Sequence, residues 1–277
     1  MTRPKVIDAW IQPWTKEVVE GLPDRALHVF KQYGQASRLQ DGISLEVMME
    51  EMDAAQVDIS LISGGPMVPM HLVLEAMERW PDRLRAVVWT DPTQTSIVRA
   101  LADLEALVRN YPVCGFKMEA FALWRDPTDR VFYPLYAKCA ELGIALQTQV
   151  GGTGPLYPSR TGQPLLIDEI ALDFPELKIV CGHVGSPWVD EMIHVAWKHP
   201  NVFIDTSARL PKYFEPAFTK FLTSFGQDKC IYASDWPVLD FQRPLGQVDS
   251  LGLSPEVREK FLVSNAITAF GLDDLRA

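Results

Sequence analysis

The sequence has no run of about twenty consecutive apolar residues, the length a membrane-spanning helix requires. Its opening MTRPKVIDAW lacks the apolar core of a secretory leader. The four cysteines (Cys114, Cys139, Cys181, Cys230) show no CxxC or CxxH spacing, which excludes a zinc ribbon or a redox pair. Three of them fall in apolar, strand-like runs and read as small buried hydrophobes in a reducing compartment. Positive charge is in deficit: 26 Lys and Arg stand against 36 Asp and Glu, a net charge of −10. That excludes a general attraction to nucleic acid or anionic membrane, but not an anionic small molecule held by local arginines. No GxGxxG follows the first strand and no GxxxxGK[ST] or GxSxG occurs, so dinucleotide, P-loop and serine-hydrolase readings fall away. The glycine-rich GGTGP ends in proline and has no following lysine, so it is a weak phosphate signal. Ser186, in GHVGSPW, reads as the cap of a helix that Pro187 begins. These absences leave a cytoplasmic protein acting on a small molecule.

What is present is a rhythm. Strand-like runs recur at residues 6–12, 57–63, 85–91, 113–119, 144–150, 178–184, 202–207 and 230–236. Period-3.6 apolar patterns lie between most of them, as at 43–55, 98–110 and 189–199. Eight strands alternating with helices predict parallel βαβ units closed into an α/β (β/α)8 barrel, one domain over residues 1–277. The helix-to-strand connections are terse (RWPDRL, AELGI, WKHPNV). The strand-to-helix connections are longer and hold the unusual residues, the longest being the loop that starts at Pro13 and runs to Asp41. In such barrels the active site lies on that second set.

Polar residues crowd the strand ends: Trp10 and Gln12, Ser63, Thr90 and Asp91, Lys117 and Glu119, Gln147 and Gln149, His183, Asp205 to Ser207, Ser234 and Asp235. A barrel packed for stability alone would avoid that desolvation cost, so the pattern favours an enzyme. Alternation puts Asp8, Trp10 and Gln12 on one face of the first strand. His183 follows the sixth strand between two glycines, and Asp235 ends the eighth, so the two meet at one mouth as a pair able to move protons at neutral pH.

The segments GHVGSPWVDEMIHVAWKHPNVFIDTSAR, CIYASDWP and GQPLLIDEIALDFPELKIV resemble the amidohydrolase-2 branch of the amidohydrolase superfamily. The resemblance implies a (β/α)8 barrel that hydrolyses cyclic esters or amides, hydrates double bonds or decarboxylates aromatic acids, mostly with one divalent metal, and commonly as a dimer. It also implies a His-x-His pair at the end of the first strand. Trp10 and Gln12 stand there instead, and Gln149 or Gly152 stands where a fifth-strand histidine is expected. Only His183 and Asp235 remain of the usual ligands, and a catalytic zinc normally takes three protein ligands. His28, a lid candidate, reads more simply as a surface residue, and His71, His194 and His199 lie on or beside helices.

The expectation is therefore a hydrolase of a small cyclic, carboxylated substrate, without a metal. In it Asp235 activates water, His183 polarises the carbonyl or shuttles a proton, and Lys117 supplies charge for the oxyanion. Trp10, Gln12, Gln149, Arg125, Arg160 and Arg209 would bind substrate, with Arg243 a further candidate on the mouth loops. A plainer role for Lys117 is a buried ion pair, with Asp91 one candidate partner. The resemblance includes a metal-independent lactonase that grips a dicarboxylated pyrone with arginines, which supports the combination by analogy. The alternatives are one Zn or Mn ion held by His183 and Asp235, a decarboxylase in which Asp235 protonates a ring carbon, and an inactive ligand-binding barrel. A homodimer is expected.

Overall fold

The computed structural model describes residues 4–276. Eight parallel strands run in chain order: β1 (Ile7–Ile11), β2 (Ile59–Ser63), β3 (Leu84–Val88), β4 (Val113–Met118), β5 (Ala145–Gln149), β6 (Ile179–Gly182), β7 (Val202–Asp205) and β8 (Cys230–Ile231). Helices connect them, and the whole is one (β/α)8 barrel. The helices expected at 43–55, 98–110 and 189–199 are Leu45–Ala54, Ile97–Asn110 and Val189–Lys198. Ser44 and Ser96 cap the first two, each side chain accepting a backbone N–H from the first turn.

β8 is much shorter than its apolar run. Past Ile231 three backbone N–H groups turn to side chains: Ala233 to Thr206 Oγ1 (3.2 Å), Ser234 to Asp8 Oδ1 (3.0 Å) and Trp236 to Ser234 Oγ (3.0 Å). The segment still closes the barrel, through Ala9 N to Tyr232 O (3.1 Å), Asp235 N to Trp10 O (3.0 Å) and Gln12 N to Trp236 O (2.9 Å). β1 and β8 are therefore neighbours, and β4 faces β8 across the barrel.

The long segment after β1 is not the open loop its Pro and Gly content suggests. It folds into short helices at Lys16–Gly21, Asp24–Gln32 and Ala36–Leu39 that lie over the mouth. Ala26, Val29 and Phe30 form the buried stripe of the middle helix, and Phe30 meets Trp14 edge-on with ring centroids 4.5 Å apart. Tyr33 OH donates to Ala208 O (3.0 Å) and ties this cover to the loop after β7.

Candidate active site

Register decides which side chains look inward. Lys117 pairs with Gln147 between β4 and β5, and Gln149 pairs with Gly182 between β5 and β6. With the period of two, this points Lys117, Gln147 and Gln149 into the barrel beside Asp8 and Trp10 of β1 and Gln12 just past its end. A cavity of about 120 Å³ opens above them. Trp10, Trp14, Val29, Tyr33, Met67, Phe121 and Val238 give it an apolar wall. Gln12, Glu119, Gln149, His183, Ser186, Arg209 and Asp235 supply the polar groups.

Of the residues expected from the sequence, Trp10, Gln12, Gln149, His183, Arg209 and Asp235 thus share one cavity. Lys117 does not line it. Its ammonium lies under the indole, 2.7 Å from the Trp10 ring centroid, and donates to Gln147 Oε1 (3.3 Å). Gln147 in turn donates to Ala9 O (2.7 Å), so the lysine is held from both sides. Asp91 is not its partner: that carboxylate accepts from Thr93 N (2.7 Å) in a local turn. Arg125 and Arg160 lie outside the cavity, paired with Asp129 (2.6 Å) and Asp126 (2.7 Å). Arg243 lines a neighbouring groove that shares Tyr33 and Arg209. His28 is bound to Gln32 (3.1 Å) and does not reach the cavity, although Val29 beside it does. Ser186 does not cap the following helix, which starts at Val189 behind Trp188; its hydroxyl donates to Glu215 (3.2 Å).

His183 is held in one tautomer. Its Nδ1 lies 3.0 Å from Ser207 O, an acceptor only, so Nδ1 carries the proton and Nε2 is left as the acceptor. Ser207 Oγ also lies 2.9 Å from Nδ1, and its hydroxyl donates to Asp205. The ring is partly open to the cavity yet deep enough that burial holds its pKa down to about 4, so it is neutral at pH 7. Asp235 is 8% exposed. Burial pushes its carboxyl well above the usual range, against the pull of the Lys117 charge. Burial also raises Asp205 to about 6 and Asp8 to about 7, and lowers Lys117 to about 7 against the pull of Glu119, Asp235 and Asp205.

The backbone is strained where these groups sit. His183 (φ 64°), Val184 (φ 60°), Ala208 (φ 57°) and Asp235 (φ 63°) all occupy the left-handed region, which costs a non-glycine residue of order 1 kcal/mol and collects at functional sites. Arg209 donates to Glu215 (2.8 Å) through a terminal nitrogen, while its buried Nε has no partner. Glu119, 3% exposed, and Ser186 are polar wall residues that the expected set omits; Glu119 is the charged one. It lies two residues beyond Lys117, so alternation already placed it on the inward face.

The first strand does not fit a divalent metal of the kind the resemblance implies: the indole of Trp10 has no lone pair to give a metal, and the Gln12 carbonyl oxygen already accepts from Trp14 Nε1 (3.3 Å). The indole of Trp10 and the cationic end of Lys117 occupy the inner face of β1.

Comparison with known proteins agrees with the architecture. A family model described as amidohydrolase matches residues 7–272. No curated protein matches the chain in sequence. An uncharacterized TIM-barrel protein from Bordetella bronchiseptica is 25% identical, with a TM-score of 0.80 over 96% of this chain and 98% of that one. A probable 2-pyrone-4,6-dicarboxylic acid hydrolase from Acinetobacter baumannii, solved with citric acid bound, is 14% identical (TM-score 0.68; 96% and 99% covered). A 5-carboxyvanillate decarboxylase from Novosphingobium aromaticivorans, complexed with manganese, is 16% identical (TM-score 0.70; 98% and 96% covered). The last two, at such identity, share the fold. With the family model spanning nearly its whole length and the barrel closed around the His183 and Asp235 mouth, this chain belongs to the amidohydrolase family.

Proposed function

We propose that the protein hydrolyses the ester or amide bond of a small, planar, carboxylated ring, using Asp235 rather than a metal ion to activate water. The observation that carries this reading is that one cavity is lined by two proton acceptors, the Asp235 carboxylate and the Nε2 of a neutral His183. A water that donates to both is left with its lone pair free to attack a carbonyl carbon. Asp235 takes the proton of the attacking water, and His183 orients it. The flat face of Trp10 supports the ring, the unpartnered Nε of Arg209 receives a carboxylate, and the Gln12 and Gln149 amides meet neutral oxygens. Lys117 acts through the indole and Gln147 as a buried charge that keeps Asp235 within reach of ionisation. The hydrolase among the structural relatives, named for a dicarboxylated pyrone, is consistent with this substrate class.

A second reading has an observation of its own. Burial pushes the Asp235 carboxyl toward its protonated form, and a protonated carboxyl can give its proton to a ring carbon as carbon dioxide leaves, the chemistry for which the manganese-containing relative is named. The two readings give opposite pH dependences. A base is active when ionised, so hydrolysis accelerates as pH rises through the Asp235 pKa; an acid is active when protonated, so decarboxylation slows.

The test is a pH–rate profile on cyclic carboxylated esters and on hydroxybenzoic acids, with Asp235→Asn and elemental analysis of the purified protein beside His183→Ala. A rising limb, lost about 100- to 10,000-fold in Asp235→Asn, with only trace metal, is the expected result. One equivalent of metal that disappears with His183 would sink the metal-free mechanism. An Asp235→Asn variant as active as the parent would sink any role for that carboxyl in catalysis.

A further inference from the structure

Water activation at one side of the cavity leaves the departing group needing a proton, which Asp235 can return only where the leaving atom comes within its reach. The opposite wall has a carboxyl with no assigned task. Glu119 follows β4, across the barrel from Asp235 beyond β8, and lines the same cavity. A short chain of hydrogen bonds fixes how it is held. Trp14 Nε1, which can only donate, gives its proton to Gln12 Oε1 (3.3 Å). That orients the amide, so Gln12 Nε2 donates to Glu119 Oε1 (3.2 Å). Oε1 is thereby the accepting oxygen. Oε2 is buried and has no partner at all, lying against Gly65, where an added Cβ would come within 3.3 Å of it.

We propose that Glu119 is the general acid of this site, carrying its proton on Oε2 and delivering it to the oxygen or nitrogen that leaves the scissile carbonyl. The inference rests on the hydrolase reading above. Asp235 carboxylate removes a proton from water as the water oxygen bonds to the carbonyl carbon. The tetrahedral intermediate collapses, the C–O or C–N bond breaks, and its electron pair takes the Glu119 proton. Asp235 then returns its proton to solvent and Glu119 regains one, so a single water is consumed and both carboxyls are restored. Burial favours the neutral form of Glu119, opposed by the nearby Lys117 charge and the Gln12 bond.

Two lactones differing in leaving group test the step: dihydrocoumarin, which releases a phenolate, and δ-valerolactone, which releases an alkoxide. Glu119→Gln keeps the acceptor for Gln12 but has no acidic proton. It should lower kcat/KM on δ-valerolactone about 100-fold or more and on dihydrocoumarin less than about tenfold, whereas Asp235→Asn lowers both. An equal fall on both substrates in Glu119→Gln would make Glu119 a structural residue and overturn the proposal while leaving the hydrolase reading intact. If Asp235→Asn matches the parent on both, the hydrolase reading fails instead. Infrared difference spectra at neutral pH decide the protonation directly, without substrate. A protonated-carboxyl C=O band present in the parent and lost in Glu119→Gln is expected, and no such band overturns the assignment.

Discussion

The ammonium of Lys117 lies 2.7 Å from the centroid of the Trp10 ring, buried beneath the floor of the cavity rather than on its wall. The indole face, electron-rich, offsets part of the cost of burying the charge. Glu119, Asp235 and Asp205 all act on it through space. Lys117 is thus a positioning residue whose field reaches the reacting groups.

Lys117→Met keeps the length of the stem and removes the charge. With less to favour their ionised forms, Asp235 and Asp205 both become harder to ionise. The rising limb of the pH–rate profile should move to higher pH by about 1–3 pH units. A profile that keeps its midpoint and merely drops in height would show that the lysine serves packing alone.

Asp8 predicts a pH dependence of stability. Its Oδ1 accepts from Trp10 N (3.2 Å) and Ser234 N (3.0 Å), and burial raises its pKa from 3.8 to about 7. Between these values the unfolded chain releases this proton and the folded protein keeps it. The contribution is therefore greatest at low pH and is lost as pH climbs from about 4 to about 7, on the order of 4 kcal/mol in all. His183, lowered from 6.5 to about 4, works in the opposite sense over most of the same window, so the measurement is a difference between two proteins. Asp8→Asn keeps the Oδ1 acceptor and removes the titration. In urea unfolding its stability should fall less steeply with pH than the parent's, by about 1.4 kcal/mol per pH unit in that window. Parallel curves would show that Asp8 is ionised in the fold.

The arginines separate by their partners. Arg209 is on the cavity wall with a free Nε, so Arg209→Gln should raise KM for a carboxylated substrate about tenfold to 100-fold, the loss of one charged hydrogen bond, with kcat changed little. Arg125→Gln and Arg160→Gln each break a surface pair and should leave both constants at parental values. A KM defect in either would mean that their loops fold inward over substrate.

This division was only partly readable in the sequence. Alternation along β1 and β4 put Asp8, Trp10, Gln12, Lys117 and Glu119 inside, because the strand period leaves no choice. It could not say that Trp10 would shield Lys117 from the cavity, which depends on the packing of one ring. The pairing of Arg125 with Asp129 forms within a loop and that of Arg160 with Asp126 joins two loops, so no periodicity announced either. Pro13, Gly21, Pro23, Gly34 and Gly42 made the stretch after β1 read as loop, although Ala26, Val29 and Phe30 carried a helical stripe. β8 ended early because its amides serve Asp8, Thr206 and Ser234, a use that no local pattern announces.

Trp10 has a second dependency, on Gly182. A Cβ built on Gly182 would lie 2.7 Å from Trp10 Cζ3, closer than real contacts come, and 3.2 Å from Cη2, tighter than most. The indole has little room to retreat, with Lys117 beneath it and the His183 ring centroid 5.0 Å away. Gly182→Ala should therefore cost about 1–3 kcal/mol by overpacking and disturb the wall on which substrate lies. Trp10→Phe removes the outer ring that the new methyl strikes, so in that background Gly182→Ala should cost much less. The difference, read from a double-mutant cycle of unfolding free energies, is the interaction between the two positions. If Gly182→Ala costs the same with Phe as with Trp, the glycine answers to some other contact, Ser207 Oγ at 3.4 Å being the next nearest. A large interaction energy would instead show that the indole in the first strand and the glycine before His183 act as a single unit, and that neither can be exchanged for a family residue without the other.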